Sequence, residues 1–423
     1  MSAAGSREFD VIIVGAGIIG AVMAGLLLKR GSSAPGRVAL VADRFMQAPA
    51  ADAGGGPADW DLRVFALSRA SERLLQMCGI WGSLPPARVN AYQRMHVWDA
   101  DGSVHGAGSL QFDCADIGEP NLGFIADGRA LQWHALQTAT ALGAVPLEAQ
   151  LAAIVRGEAS ISAVLADGRQ LRAKLIIGAD GTESKTRQLL DIGTAGHAYH
   201  QDALVAHVLT EKAHGDTAWQ RFLPGGPLAL LPLSDGRSSL VWTAGRAEAA
   251  RLRALDPKTF SEALTAGSDE VLGQCTVTSA VAAFPLQLQY ALAYVQPRAV
   301  LLGDAAHVVH PLAGQGLNLG LLDCAALAQV LGDCGGPRSF GDLKVLRRYE
   351  RWRRSENFLA GAALDGLERL FASSGAFSSA ARAFGLGAVQ RLPMVKRRLA
   401  RHALGLSGDL PDIAKGDRVW PRR

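Results

Sequence analysis

The sequence lacks paired cysteines and any cysteine spacing typical of a metal site. Its 423 residues include five cysteines, an odd number, with no C-x-x-C pair. They are Cys78, Cys114, Cys275, Cys324 and Cys334. This usage argues against a disulfide framework or a structural zinc site and is typical of a chain kept in a reducing cytoplasm. We expect five buried free thiols and no bound metal.

A strong charge of either sign is also missing. The formal net charge is +4, and charged residues make up 19% of the chain, which is too weak a bias to indicate nucleic-acid binding. Met1–Asp10 does not combine basic residues with an apolar run, so no signal peptide is predicted. Val11–Leu28 is almost wholly apolar, but its glycines favour a buried strand, a turn and a buried helix over a membrane span.

Hydrophobic residues (49%) and glycine (48 residues) are plentiful, as in a globular α/β chain with tight turns. Phe9–Val14, Ile18–Lys29 and Val38–Ala42 predict a β-α-β unit. A loop is predicted over Ala48–Asp59 and a β hairpin over Ser160–Ile177. The other predicted elements of this part are helices over Ser68–Cys78, Arg129–Leu142, Leu317–Leu331 and Phe340–Phe371, and a buried strand over Arg298–Leu302.

A different pattern runs through the middle of the chain, where short β-branched and apolar runs alternate with Pro and Gly turns. This pattern predicts an antiparallel sheet. Its expected strands are Ala203–Thr210, Gln220–Leu223, Leu228–Leu233, Ser238–Thr243 and Ala280–Leu288.

The first glycine motif is Gly15-Ala16-Gly17-Ile18-Ile19-Gly20, between a predicted strand and helix. Gly15 permits a tight turn, Gly17 lets a pyrophosphate approach the backbone, and Gly20 lets the helix pack closely on the sheet. A helix N-terminus there favours an anion, so the motif predicts dinucleotide binding. Asp43, followed by Arg44, is the candidate for a ribose hydroxyl, although a solvated surface Asp explains it nearly as well.

Two further glycine motifs follow buried strands. Gly178-Ala179-Asp180-Gly181 has an ordinary turn as its competing interpretation. In Gly303-Asp304-Ala305-Ala306-His307, Asp304 is placed to accept hydrogen bonds from a sugar or ribityl hydroxyl. Gly314-Gln315-Gly316 opens the helix that starts at Leu317, so its amides would face an electron-rich group. His307 and His310 have no carboxylate or cysteine at ligand spacing and are interpreted as structural.

The three motifs, in this order, resemble the FAD-binding fingerprints of the class A flavoprotein monooxygenases related to p-hydroxybenzoate hydroxylase. The ubiquinone-biosynthesis hydroxylases are the closer resemblance, and the likeness runs from about residue 9 to about residue 411. The segments that carry it are Asp10–Gly15, Arg63–Ser68, Gly178–Arg187, Arg221–Leu233, Gly303–Gly320, Leu392-Pro393 and Gly405–Pro411.

The resemblance implies a set of FAD contacts. Gly15, Gly17 and Gly20 would hold the diphosphate, with Arg63 near it. Gln132 and Asp304 would lie near the ribityl chain, and Asp180 would belong to a motif for both FAD and NAD(P)H. The flavin ring would be bracketed by Pro311, Gly314, Gln315, Gly316, Leu317 and Asn318. Ala42 and Gly128 depart from the family, which commonly has Glu and a polar residue there.

The resemblance also implies an architecture: a Rossmann-like FAD-binding domain interleaved with an antiparallel-sheet substrate domain, followed by C-terminal helices. The expected boundaries are 1–200 and 291–371 for the FAD-binding domain, 201–290 for the substrate domain and 372–423 for the helical tail. No second strand–G-x-G-x-x-G–helix unit is present for NADPH or NADH, so the nicotinamide is expected to bind transiently on the FAD scaffold.

The chemistry implied is hydroxylation of an aromatic ring with O2 through a flavin C4a-hydroperoxide, in a site that excludes water. The sequence itself identifies no catalytic residue. The implied substrate is a lipophilic polyprenyl phenol or quinone precursor, and Phe222–Trp242 is either its wall or ordinary core. The basic, amphipathic Arg391–Leu404 is either a peripheral contact with the inner membrane or a solvated helix face.

Other interpretations stay open at this point. The chain could hydroxylate another phenolic substrate on the same fold. It could also be a different flavin oxidoreductase, such as a prenyl reductase or a halogenase, although no Trp-x-Trp pair supports a halogenase. It could also be a non-catalytic FAD-bound subunit of a biosynthetic complex, and a homo-oligomer is compatible with the sequence. Consumption of NAD(P)H separates an enzyme from a scaffold.

Overall fold

The structure is a computed structural model that describes residues 7–48, 60–106, 108–310, 314–372, 387 and 389–416. Residues 49–59 of the predicted loop therefore lie outside the described residues. The helices are α1 Ile18–Lys29, α2 Arg69–Cys78, α3 Cys114–Ile117, α4 Gly128–Ala141, α5 Lys185–Leu189, α6 Arg246–Arg253, α7 Pro257–Gly267, α8 Gln315–Gly332, α9 Leu343–Ala372, α10 Pro393–Ala403 and α11 Asp412–Lys415.

The described strands form four sheets. They are β1 Arg7–Glu8, β2 Val11–Val14, β3 Val38–Ala42, β4 Val64–Leu67, β5 Val89–Tyr92, β6 Arg94–Asp99, β7 Ser109–Asp113, β8 Gly123–Asp127, β9 Val145–Glu148, β10 Leu151–Arg156, β11 Ile161–Leu165, β12 Gln170–Ala173, β13 Leu175–Gly178, β14 Thr194–Thr210, β15 Thr217–Leu223, β16 Gly226–Pro232, β17 Ser238–Gly245, β18 Cys275–Val277, β19 Ala282–Ala291, β20 Val295–Gln296, β21 Ala299–Leu301 and β22 His307–Val308.

A parallel sheet carries the three glycine motifs. Its order is β20-β21-β13-β2-β3-β9, and β2 pairs in parallel with both β3 and β13. Every residue of β2 is buried, as expected of a strand whose two faces are both covered. Helix α1 packs on β2 and β3 and against α4 and α8. The predicted β-α-β unit is confirmed.

The second arm of the predicted hairpin is divided between two sheets. β12 pairs with β11, as predicted, but the chain leaves that sheet at Lys174 and β13 enters the parallel sheet beside β2. The apolar run Leu175-Ile176-Ile177 is fully buried there. The prediction of β structure over Leu171–Ile177 is therefore correct, but the pairing of the whole segment in one hairpin is wrong. The alternation of apolar and polar residues indicates a strand and does not determine which strand it pairs with.

The antiparallel sheet has the order β22-β19-β14-β17-β16-β15-β6-β7, with β18 also on β14. The strands predicted between 203 and 288 are all present, and β14 begins earlier, at Thr194. β6 and β7 come from a much earlier part of the chain, and β6 pairs in parallel with β15. The sequence patterns did not identify this pairing, and the boundaries proposed for the domains stay a prediction.

Strand alternation gives this sheet two different faces. Leu228, Leu230, Leu240 and Trp242 lie in a core with Phe260 and other residues of α6 and α7. Pro227, Ala229, Leu231 and Val241 instead line a cavity. Of the two interpretations of Phe222–Trp242, ordinary core is confirmed for one face of the sheet, and the substrate wall stays a prediction for the other face, which lines the cavity.

The cysteine prediction is partly wrong. Within the described residues all five are free thiols, but Cys114 and Cys334 are only partly buried. Burial raises the pKa of the Cys78 thiol to about 12, which keeps it protonated. No helix among the described residues combines the length and hydrophobicity required to cross a bilayer.

Candidate functional site

A cavity of about 660 Å³ lies between the parallel sheet and the antiparallel sheet. One side is formed by the segments that follow parallel strands, including Gly17, Thr182 and Asp304, together with Gly316 at the start of α8. The opposite side is the antiparallel sheet. In α/β folds a ligand crevice forms at the carboxyl ends of parallel strands, so this is the expected place for a cofactor.

The three glycines of the first motif have different structural roles. A Cβ on Gly15 would lie 2.2 Å from the Ala179 carbonyl oxygen, and Gly15 has a φ of 107°. A Cβ on Gly20 would lie 1.9 Å from the Gly15 carbonyl oxygen, so this glycine lets α1 pack on the turn. A Cβ on Gly17 would meet no described atom within 4 Å. Only Gly17 therefore faces open space, and Gly15 joins the first motif to the second.

The start of α1 is suited to an anion. Gly17 is its N-cap, the first turn carries no acidic residue, and the cap has no side chain to occupy the free amides. Those amides and the helix dipole favour a negatively charged group. Gln132 on α4 donates from Nε2 to the Ala16 carbonyl oxygen at 3.2 Å and lines the cavity. The residues present fit the diphosphate of a dinucleotide.

Asp180 in the second motif is bonded to its own loop. Its carboxylate accepts from the Thr186 amide at 2.8 Å, from the Thr186 hydroxyl at 2.9 Å and from the Ser184 hydroxyl. Ser184 in turn caps α5. The cavity is lined here by Ala179, Gly181 and Thr182 rather than by Asp180. The competing interpretation of this motif, an ordinary turn, therefore describes the Asp180 side chain well.

In the third motif, Asp304 and Arg63 both line the cavity. Desolvation by the surrounding protein raises the pKa of the Asp304 carboxyl, while the charges of His307 and Arg63 oppose that shift. Gly314 is the N-cap of α8 with a φ of 62°, and a Cβ there would lie 3.0 Å from the Ala66 side chain. Gly316 and Leu317 face the cavity, and a Cβ on Gly316 would meet no described atom within 4 Å.

Comparisons with known proteins agree with this geometry. A family model described as an FAD binding domain matches residues 132–357. The 3-demethoxyubiquinol 3-hydroxylase of Escherichia coli is 34% identical over 408 residues, covering 95% of this chain and 100% of the relative. The ubiquinone hydroxylase UbiL of Rhodospirillum rubrum is 35% identical over 422 residues, covering 96% and 92%.

Solved structures show the same fold. The pqsL protein of Pseudomonas aeruginosa, described as a probable FAD-dependent monooxygenase, has a TM-score of 0.70 at 25% identity, covering 90% of this chain and 99% of that one. The p-nitrophenol 4-monooxygenase PnpA of Pseudomonas putida has a TM-score of 0.73 at 16% identity, covering 96% and 100%, and supports the fold alone. The chain belongs to the FAD-dependent aromatic monooxygenases. FAD is its cofactor, and the expected p-hydroxybenzoate hydroxylase-like architecture is confirmed.

Asn318 does not line the cavity but hydrogen-bonds to Ala66 and Gly314, which do. Its amide nitrogen donates to the Ala66 and Gly314 carbonyl oxygens at 2.8 and 3.1 Å. Its amide oxygen accepts from the Ser68 amide at 2.9 Å and the Ser71 hydroxyl at 2.7 Å. The side chain is buried and ties the start of α8 to β4 and α2. A direct contact with the flavin stays a prediction for Asn318, and likewise for Gln315.

Asp43, predicted at the ribose, and its neighbour Arg44, predicted to bind the cofactor, do not line the cavity. Asp43 and Arg44 are exposed beyond the end of β3, and Asp43 accepts from Gln150 at 3.3 Å. The last residue of β3 is Ala42, where the family commonly places Glu. Pro311 lies outside the described residues.

Sequence reasoning missed a buried ionic cluster behind the third motif. Asp323, fully buried on α8, lies 2.5 Å from His307 Nε2 and 2.8 Å from Arg353 Nε, and accepts from Asn357 at 3.0 Å. Burial alone would raise the pKa of Asp323, but His307 and Arg353 outweigh it and hold the pKa at about 2. His307 is thus structural, as interpreted. Among the described residues no cluster suited to a metal occurs.

Proposed function

We propose that this protein hydroxylates the aromatic ring of a polyprenyl phenol or quinone precursor in ubiquinone biosynthesis. The observation that carries the proposal is a single cavity with two unlike walls. FAD-motif residues such as Gly17 and Asp304 line one side, and apolar residues of the antiparallel sheet, including Leu231 and Val241, line the other. The names of the relatives from Escherichia coli and Rhodospirillum rubrum, a 3-demethoxyubiquinol 3-hydroxylase and a ubiquinone hydroxylase, support this substrate class.

FAD, when bound and reduced by NADPH or NADH, supplies the activation of O2 from which one oxygen atom reaches the ring. The chain positions and shields this chemistry. Gly17 and the α1 amides would hold the diphosphate, and Asp304 would hold the ribityl chain. The apolar face formed by Ala203, Val205, Ala229, Leu231 and Val241 would seat the ring and exclude water. Exclusion of water from the site limits the release of hydrogen peroxide in place of hydroxylated product.

The experiment measures NADPH oxidation, O2 uptake and product mass with a short-chain prenylphenol. We expect the phenol to stimulate oxidation and to gain one oxygen atom. Ala229→Trp narrows the cavity and should abolish stimulation while FAD stays bound. Ala247→Trp places the same side chain on the exposed surface of α6 and should leave stimulation unchanged. A yellow protein that never oxidises NADPH would instead support the scaffold alternative.

We also propose that α10 makes a peripheral contact with an anionic membrane. Met394 is 86% exposed, and Leu392, Val395 and Leu399 are also exposed. The same helix carries Arg397, Arg398 and Arg401, while Lys396 pairs with Asp116 at 2.9 Å. Exposed apolar side chains interleaved with cations are the chemistry that an interfacial helix requires.

Co-sedimentation with vesicles tests this contact. We expect binding to vesicles that contain phosphatidylglycerol and little binding to pure phosphatidylcholine. Met394→Glu should weaken binding several-fold, because it places an anion against an anionic surface. Leu209→Glu changes another exposed apolar side chain, on β14, and is the matched control. Equal binding to both vesicle types, or equal binding by both variants, would contradict the proposal.

A further inference from the structure

A polar side chain lies in the middle of the apolar wall that the antiparallel sheet presents to the cavity. Gln220 lies on β15 and lines the cavity. Its partners in register are Ala229 on β16 and Val97 on β6, and Ala229 pairs in turn with Val241 on β17. Side chains in register on adjacent strands point to the same face of a sheet. Gln220 therefore belongs to a row whose other members are aliphatic.

The carboxamide of Gln220 is buried without a partner in the described part of the chain. The residue is 8% exposed, and no hydrogen bond among the described residues engages its side chain. The next residue, Arg221, points to the other face, where it donates to the Ala100 and Gly267 carbonyl oxygens at 2.9 and 3.2 Å. Buried polar groups in proteins are nearly always hydrogen-bonded, so the unpaired carboxamide requires an explanation.

Two hydroxyl side chains of the sheet also line the cavity, and both are shorter than Gln220. They belong to Ser239 and Thr243 on β17, and both residues are buried. The Ser239 hydroxyl oxygen is itself covered by protein atoms. A glutamine side chain is longer, and its carboxamide offers both an acceptor and donors. Gln220 is therefore the group on this wall best suited to reach an oxygen atom of a molecule in the cavity.

We propose that Gln220 hydrogen-bonds an oxygen substituent of the aromatic substrate and thereby determines which ring carbon faces the flavin. The inference rests on the proposed function. An aliphatic wall holds an aromatic ring but does not distinguish one rotation of the ring in its plane from another. A hydrogen bond to one ring oxygen makes that distinction, because its donor and acceptor must lie about 3 Å apart. The carboxamide can donate to a carbonyl or ether oxygen and accept from a hydroxyl. Gln220 is thus a specificity-determining residue.

A role in substrate binding has a consequence for stability. Gln220→Met removes the carboxamide and keeps an unbranched side chain of similar length. An unpaired buried polar group contributes no hydrogen bond to the fold and disfavours burial. The Gln220→Met apoprotein should therefore unfold at the same urea concentration as the unmodified apoprotein or at a higher one. A side chain that held the fold together by hydrogen bonds would give the opposite result.

Binding to the FAD-loaded protein without NADPH tests the contact with the ring oxygen. Equilibrium dialysis gives the Kd values for 2-prenylphenol and for prenylbenzene, which lacks that oxygen. Gln220→Met should shift the ratio of the two Kd values about tenfold in favour of prenylbenzene, because the hydroxyl then loses its partner. Gln220→Asn, which keeps the carboxamide on a shorter side chain, should shift the ratio less. Gln170→Met, at an exposed position on β12, is the matched control and should leave it unchanged.

Product analysis after turnover with NADPH tests the orientation of the ring. The unmodified protein and Gln170→Met should convert 2-prenylphenol to one hydroxylated isomer. Gln220→Met should give a mixture of isomers, because the ring then binds in more than one rotation. A single isomer from Gln220→Met, identical to that of the unmodified protein, would overturn the orienting role.

The binding outcomes separate the two proposals. An unchanged Kd ratio in Gln220→Met, or a marked loss of apoprotein stability, overturns the assignment of Gln220 and leaves the hydroxylase assignment intact. Weaker FAD binding with an unchanged ratio also overturns it, since Gln220 would then contact the cofactor instead. Failure of the unmodified holoenzyme to bind 2-prenylphenol at all contradicts the proposed function itself.

Discussion

Substitution of Gly17 and Gly20 by alanine should separate cofactor binding from folding. The two glycines lie three residues apart in one motif, yet a Cβ on Gly17 meets no described atom within 4 Å and a Cβ on Gly20 lies 1.9 Å from the Gly15 carbonyl oxygen. Gly17 has a φ of −72° and an extended backbone that alanine adopts without strain. The added methyl group therefore lies in open space at Gly17 and clashes with the backbone at Gly20.

The expected magnitudes follow from these distances. Gly20→Ala forces α1 away from the turn by about 1 Å, and overpacking of this kind costs roughly 1–3 kcal/mol of stability. Gly17→Ala should change apoprotein stability by less than about 0.5 kcal/mol. Its methyl group would occupy the approach of the diphosphate, and loss of one hydrogen bond to a charged group weakens binding by roughly 1.5–3 kcal/mol. That range corresponds to about a tenfold to a hundredfold rise in the Kd for FAD.

Urea unfolding of the apoproteins and fluorescence titration with FAD measure the two quantities separately. Gly17→Ala should unfold with the unmodified apoprotein and bind FAD weakly, whereas Gly20→Ala should unfold at lower urea. Normal FAD affinity in Gly17→Ala would refute the assignment of the α1 N-terminus as the diphosphate site. A marked loss of apoprotein stability in the same variant would refute the claim that its Cβ enters open space.

Two further predictions concern buried polar groups. Asp323→Asn should destabilise the protein by roughly 3–5 kcal/mol, because it leaves Arg353, 2% exposed, without its counter-charge. The folded pKa of Asp323, about 2, lies below its ordinary value, so its contribution is complete above about pH 4 and is lost as pH falls toward 2. Urea unfolding between pH 7 and pH 2 should show this loss in the unmodified protein but not in Asp323→Asn. Asn318→Ala should lower stability by roughly 2–3 kcal/mol and weaken FAD binding, since several buried partners lose their hydrogen bonds; unchanged stability would show that these contacts are dispensable.

Local patterns in the sequence predicted much of the fold. Helices α2 and α4, capped by Ser68 and Asp127, begin within one residue of their predicted starts, because a short polar side chain before an apolar repeat is a strong local signal. The predicted strands of the antiparallel sheet are present for a similar reason. The parallel pairing of β6 with β15 was not predicted, since the two strands lie more than a hundred residues apart and their register is set by tertiary packing.

The site was predicted unevenly for a related reason. Glycine positions report backbone geometry directly, and the glycine motifs pointed to Gly17, Gly314 and Gly316, all of which line the cavity. Polar site residues were harder to predict, because a carboxylate that could bind a ligand can equally accept hydrogen bonds from the protein's own amides, as Asp180 does. Asp323 and Arg353 belong to no short motif, and only their distance of 2.8 Å in space reveals the pair.

The mixed origin of the antiparallel sheet limits how substrate preference could be transferred between relatives. A chimera that exchanged only residues 201–290 would leave β6, β7 and β22 from one parent beside β15 and β19 from the other. Edge contacts at β15 and β19 would then join side chains selected in different proteins. If residues 94–113 and 307–308 are exchanged together with the strands of the central segment, every pair of hydrogen-bonded strands comes from the same parent protein. Recombination of this fold is thus best planned by sheet neighbours rather than by position along the chain.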